Sequence, residues 1–253
     1  MTAWLDQISE VIDRRASDIR IYFRDDDAGW DRPRLMVLLD LFARYGTPID
    51  LAVIPDALDA DLAAELVARR ERFPELLGLH QHGYRHLNHE LLERKCEFGV
   101  SRSFSEQEVD IRSGRERLIE LFGNENLDNI FTPPWNRCTQ TTVDCLTTLG
   151  FHTLSREWKA VPLDCADMFE FPVHVDWCKA TGLPTEKRVT RGEWIATAIN
   201  RDPTAGIMLH HAAMNEDDFA DVEQLLKLLK KNGDPQCYLM SQLIEQRTAG
   251  LLI

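Results

Sequence analysis

Two imidazoles, His82 and His86, stand four residues apart in the stretch His80-Gln81-His82-Gly83-Tyr84-Arg85-His86-Leu87-Asn88-His89, close enough for neutral rings to face one cation. An acidic run, Asp25-Asp26-Asp27, lies upstream, and a doublet, His210-His211, lies near the other end. Two imidazoles and one carboxylate make a three-ligand site with coordination positions left for water and substrate, the arrangement hydrolytic metals need. The same histidines also fit a surface cluster or separate residues at a core edge. What favours the site is that each group ends a short apolar run, where a strand would deliver it to a common rim. The residues therefore point to a metal-dependent hydrolase.

The elements that would position these groups alternate. Ile19 to Phe23 reads as a strand leading into the acidic loop, and Pro33 to Tyr45 as a helix with Leu35, Leu38, Leu39 and Phe42 on one face, stopped by Gly46. Further strands are expected at 49–54, 76–79, 129–131, 151–154 and 206–209, and helices at 58–72, 106–122, 141–149, 194–199 and 217–230. A last strand and helix follow Cys237, and 155–189 reads as irregular. Such alternation implies parallel strands with outer helices. An open doubly wound sheet shares the pattern, but residues after the first, third, fourth and a late strand must meet at one ion. A closed barrel brings nonadjacent strand ends together more readily.

At 253 residues the chain has the length of one such barrel, and no repeat, linker or composition shift divides it, so a single domain over 1–253 is expected. The formal net charge of -13 argues against nucleic acid and anionic membrane surfaces, whose binders concentrate Lys and Arg, and favours a neutral or cationic small substrate. No apolar run approaches membrane-spanning length. The N-terminus has amphipathic helix spacing, not that of a signal peptide. Six scattered cysteines without CxxC spacing read as reduced thiols. A cytoplasmic protein is the expectation.

The ordered set of motifs resembles the polysaccharide deacetylases, or NodB-homology carbohydrate esterases of family 4, over nearly the whole chain. Arg24-Asp25-Asp26-Asp27-Ala28-Gly29 is similar to their Asp-Asp-Gly motif with one residue added before the glycine, and His82-Gly83-Tyr84-Arg85-His86 to their His-x-x-x-His motif. A related proteobacterial branch shares the Pro-Pro-Trp-Asn-Arg segment at 133–137 and a His-His doublet. The resemblance implies an irregular (β/α) barrel with seven strands. It also implies Asp27, His82 and His86 as ligands of one divalent metal, Asp26 as the base, and the backbone N–H of Trp135 as an oxyanion donor beside Pro134. Zinc is the default for that donor set, with cobalt, nickel, manganese or iron also accepted.

The motif arginine that normally holds the base is replaced by Thr132, so Arg24 or Arg137 would have to supply its charge. The apolar run Ile207-Met208-Leu209 leads into the doublet, and a strand sends neighbouring side chains to opposite faces, so one of His210 and His211 should enter the site as the acid; the resemblance favours His210. Asp176-Trp177 is similar to a family pair whose aspartate orients that histidine. Trp158 and Trp177 are candidates for stacking on a sugar, although core aromatics are commoner. Glu97-Phe98-Gly99 fits a substrate loop or a loop anchored by Phe98. His80 and His89 read as supporting or surface groups, His152 and His174 as structural or rim residues. The expected reaction is hydrolysis of an N-acyl, most simply N-acetyl, group on an amino-sugar or sugar precursor. The alternatives are another C–N bond in a small amide, and a non-catalytic carbohydrate-binding relative.

Overall fold

The structure is a computed structural model describing residues 3–15, 19–165, 168–231 and 236–250. Met1, Thr2, Ala16 and Ser17 of the expected first helix lie outside the described residues. The strands are β1 (Arg20–Ala28), β2 (Ile49–Val53), β3 (Leu77–His82), β4 (Ile130–Thr132), β5 (Thr153–Leu154), β6 (Phe169–Glu170), β7 (Val175–Asp176), β8 (Thr204–Leu209) and β9 (Gln236–Cys237). The helices are α1 (Ala3–Arg15), α2 (Arg32–Tyr45), α3 (Ala60–Arg72), α4 (Phe104–Phe122), α5 (Gln140–Thr148), α6 (Pro184–Arg201), α7 (Glu216–Lys231) and α8 (Met240–Thr248).

Every strand pairing is parallel, in the order β6-β5-β4-β3-β2-β1-β8-β7, with β9 added to the start of β1. β6 and β7 are the two halves of one segment. Along it Phe171 N–H donates to the Leu154 carbonyl and Val173 N–H to that of Arg156, and then His174 N–H donates to Gly206. The segment thus leaves β5 and joins β8, and counting it once turns the eight strands of that path into seven staves. The fold is the irregular (β/α)7 barrel of the polysaccharide deacetylase type, its sheet curled so that nonadjacent strand ends face one another.

Alternation along β1 separates two packing layers. Ile21 and Phe23 join Leu51, Leu77, Leu79, Ile207 and Leu209 against the outer helices, and Tyr22 packs inward with Ile130, Phe171, Val173, Met208 and α8 residues Met240 and Leu243. Local signals set the helix ends: Asp59 caps α3 through Leu62 N–H at 2.7 Å, Ser103 and Glu106 cap α4 reciprocally, and Gly46 closes α2 in the left-handed region at φ 62.

Three expectations are corrected. β1 continues through the acidic run to Ala28 and β3 through His82, so these side chains stand on strands and not on loops beyond them. The stretch 155–189 contains β6, β7 and the first turn of α6, hidden because two-residue strands show no period and α6 opens on the charged sequence Pro184-Thr185-Glu186-Lys187-Arg188.

Candidate metal centre

Asp27, His82 and His86 converge, with one donor atom from each lying within 4.8 Å of the others. Their convergence needs an irregularity in β1. Between Asp25, opposite Leu51, and Ala28, opposite Val53, the register shifts by an extra residue, a bulge, and Asp27 takes φ 68. Strict alternation would have sent Asp26 and Asp27 to opposite faces. The bulge lets both reach the mouth of the barrel while Asp25 turns outward.

The His86 loop is fixed by buried groups. Gly83 has φ 54, and a Cβ there would meet Glu97 Oε2 at 2.2 Å and Pro134 Cδ at 2.6 Å, so only glycine fits. Glu97 is fully buried and accepts the N–H groups of Tyr84 at 3.3 Å and Arg85 at 2.8 Å. Glu97-Phe98-Gly99 is therefore a loop anchor: Phe98 sits in the core with Phe131, and Glu97 holds the chain that presents His86. Except for Asp31, the non-glycine residues with positive φ among the described ones are Asp27, His86, Trp135 and Asn136. Each such conformation costs about 1–2 kcal/mol, and such strain concentrates where geometry serves a site.

The donor atoms fit a cation. His82 Nδ1 lies 3.0 Å from the Thr132 carbonyl; a carbonyl only accepts, so Nδ1 carries the proton and a neutral ring turns its Nε2 lone pair inward. That lone pair is 3.3 Å from Asp27 Oδ1, and His86 Nε2 is 3.2 Å from the same oxygen. Asp27 Oδ1 is buried with no hydrogen-bond partner. Lone pairs at such separation repel unless a proton or a metal ion lies among them. Burial disfavours charge on His82, and the Asp27 and Asp26 carboxylates outweigh it, raising its pKa. His86 is walled by Trp135, with ring centroids 4.3 Å apart, and by Trp30 at 4.9 Å.

Asp26, beside these ligands, is buried and clamped by Arg24, whose Nε meets Oδ1 at 2.7 Å and whose second terminal nitrogen meets Oδ2 at 2.9 Å. Arg24 is itself held by Ser155 Oγ at 2.6 Å and Asn136 Oδ1 at 2.7 Å. Burial works to raise the Asp26 pKa, but the charge of Arg24 keeps it below the ordinary carboxylate range. Arg24 thus supplies the positive charge that Thr132 cannot bring to Asp26. Arg137 does not; it donates to the Lys95 carbonyl at 2.8 Å. Thr132 Oγ1 instead meets His80 Nε2 at 2.9 Å, and burial, aided by Arg24, pushes His80 down to about 3, so that ring stays neutral.

The doublet splits as alternation requires. His210 is partly exposed, with Nδ1 3.9 Å from Asp176 Oδ1. His211 is fully buried and faces outward, with Nδ1 2.6 Å from Asp25 Oδ2 and Nε2 2.8 Å from the Trp30 carbonyl. Both ring nitrogens are engaged, which leaves His211 no proton to exchange with a substrate. Trp177 also lies away from the site, fully buried between Trp4, 6.4 Å away, and Arg191, 4.4 Å from its ring; no sugar can reach it. Pro134 is buried against Gly83 and shapes the wall. Sequence reasoning missed Trp30, Ser155 and the anchoring role of Glu97. Asn136 lay in a motif already noted, whereas nothing local marks Ser155.

No family model matches the chain, and no curated protein matches it. Solved structures do. A Mycobacterium smegmatis protein described as a polysaccharide deacetylase superposes with a TM-score of 0.66 at 16% identity, covering 93% of this chain and 92% of its own. A family 4 acetyl xylan esterase from Clostridium thermocellum, in complex with a cobalt ion, gives 0.60 at 13% identity over 91% and 92%. A family 4 pseudoenzyme from Bacillus anthracis gives 0.61 at 13% over 89% of this chain and 65% of its own. At these identities the likeness establishes the fold, which active and inactive proteins share.

Proposed function

We propose that this chain is a metal-dependent hydrolase that removes an N-acyl group, most simply acetyl, from an amino-sugar. The observation carrying the reading is the orphaned Asp27 Oδ1 facing two imidazole nitrogens, directly beside a carboxylate gripped by a buried guanidinium. Asp27, His82 and His86 would hold one divalent ion. Mixed nitrogen and oxygen donors suit zinc and also accept cobalt, nickel, manganese or iron, and cobalt accompanies the esterase of similar fold. When bound, such an ion lowers the pKa of a coordinated water toward about 7 and polarises a carbonyl.

The chain's own groups supply the proton transfers. Asp26, held ionised by Arg24, accepts the proton of the attacking water. The N–H of Trp135, in a turn with φ 57, donates to the developing oxyanion. His210, with Asp176 Oδ1 3.9 Å from its Nδ1 to orient the ring, protonates the leaving nitrogen. Without that proton an amide intermediate expels water again and not amine. A binding-only relative is the reading favoured by the missing arginine at Thr132 and by the residue added before Gly29; the Arg24 clamp on Asp26 counters the first of these grounds. A small cytoplasmic amide remains the alternative substrate class. Release of amine from N-acetylated sugars and from cyclic amides, measured with zinc or cobalt supplied, tests the reading: Asp26-dependent release from a sugar supports it, and release from neither class rejects it.

A further inference from the structure

A second cleft, about 390 Å³ in volume, lies between the loop after β5, the β6–β7 segment and α6. Its wall is shared with the candidate centre. Asp176 turns one oxygen toward His210 and the other toward Lys179 Nζ at 3.5 Å. Met208, also in the lining, lies 3.0 Å through its sulfur from the Arg24 guanidinium that clamps Asp26. The volume is that of a small-molecule site.

The cleft carries an indole platform and unmatched positive charge. Trp158 is fixed by its Nε1 donating to the His174 carbonyl at 3.1 Å, and Trp194 also lines the cleft and is exposed. Arg201 lies 4.0 Å and Lys159 4.8 Å from the Trp158 ring centroid. Lys179 is neutralised by Glu157 at 2.9 Å and by Asp176. Among the described residues Arg201 and Lys159 have no carboxylate partner, and the neighbouring Asp202 turns instead to Thr204 N–H at 2.8 Å. In a chain of net charge -13, two cations without a carboxylate partner beside one indole ring are a local reversal of sign, and a phosphate or carboxylate would complete them.

We infer that this cleft is a subsite for an acidic group carried by the substrate, so that the molecule presented to the metal centre is an anionic amino-sugar, its phosphate or carboxylate between Lys159 and Arg201 and its neighbouring ring on Trp158. The inference deepens the hydrolase reading and rests on it for the word substrate, but its test needs no turnover. Calorimetric titration of the full chain with N-acetylglucosamine 1-phosphate, N-acetylglucosamine and inorganic phosphate, repeated for the double variant Lys159→Gln/Arg201→Gln, reads it directly. Both residues are exposed, so the fold should survive. The expected result is binding of the sugar phosphate about tenfold or more tighter than the neutral sugar and tighter than inorganic phosphate. That preference should shrink in 0.5 M salt and vanish in the double variant, with neutral-sugar binding unchanged. Asp26→Asn should bind as wild type does, so loss of amine release alone leaves the subsite standing. No preference for the sugar phosphate, a preference that survives the double variant, or inorganic phosphate bound as tightly as the sugar phosphate overturns it.

Discussion

Arg24 grips Asp26 from two residues upstream on the same face of the same strand, with both members of the pair withdrawn from water. A charge needed to hold a base can therefore come from β1 itself as readily as from the end of β4, where Thr132 stands. Asp26→Asn keeps the shape and removes the proton acceptor, so metal content should stay near wild type while turnover falls about 10²–10⁴-fold. Arg24→Ala leaves a buried carboxylate unpaired and should destabilise the fold by about 3–5 kcal/mol; chemical denaturation checks this. A variant Asp26→Asn with undiminished turnover would remove Asp26 from the chemistry.

His211 is held as an imidazolium, because a carboxylate and a carbonyl both accept and the ring must donate at each nitrogen. Burial disfavours that charge, but the Asp25 carboxylate outweighs it and raises the pKa to about 9. A folded-state value above the unfolded one of about 6.5 gives stability that is complete below about pH 6.5 and lost as the pH rises through about 9. The difference corresponds to a contribution on the order of 3 kcal/mol. Urea denaturation of wild type from pH 6 to 10 should show this decline relative to His211→Gln, and parallel curves would refute the assignment.

Asp50 is buried on β2, with Oδ2 accepting Met240 N–H at 3.0 Å and Oδ1 unpartnered. Burial first, then the nearby Asp128 charge, raises its pKa well above the ordinary value. Its folded-state pKa exceeds the unfolded one, so its contribution is full below about pH 4 and declines as the pH rises from there. Asp50→Asn keeps the acceptor for Met240 and removes the charge, and should stabilise the protein at pH 7 by about 1 kcal/mol or more. A lower melting temperature for that variant at pH 7 would contradict this.

Glu97 acts on the candidate ligand His86 through the Gly83-Tyr84-Arg85 backbone. Glu97→Ala frees two N–H groups and the His86 loop, and should weaken zinc affinity about 10–100-fold, measured by competition with a chelator. An unchanged affinity would make Glu97 a residue of folding alone.

Sequence reasoning recovered what depends on short range. The apolar periodicity of 35–42 and the capping residues located the helices, and the apolar runs located most of the strands. Residue type grouped His82 and His86 with the acidic run 25–27, and the family resemblance singled out Asp27 within it. What it could not give follows from geometry with no local signature. The bulge that brings Asp26 and Asp27 to one mouth is visible only in the pairing of β1 with β2. Ser155 and Asn136 reach Arg24 from 131 and 112 residues away. Trp177 fits a sugar platform by type and is removed from that role by Trp4 and Arg191. Net charge, averaged over the chain, hid the unpaired cations at Trp158.

Elemental analysis of the purified full chain, beside His82→Ala, tests the central claim most directly. Close to one divalent ion per wild-type chain is expected, as isolated or after dialysis against zinc or cobalt, and almost none in the variant. A wild-type chain that takes up no ion under either condition, or a His82→Ala chain that holds one stoichiometrically, would contradict it.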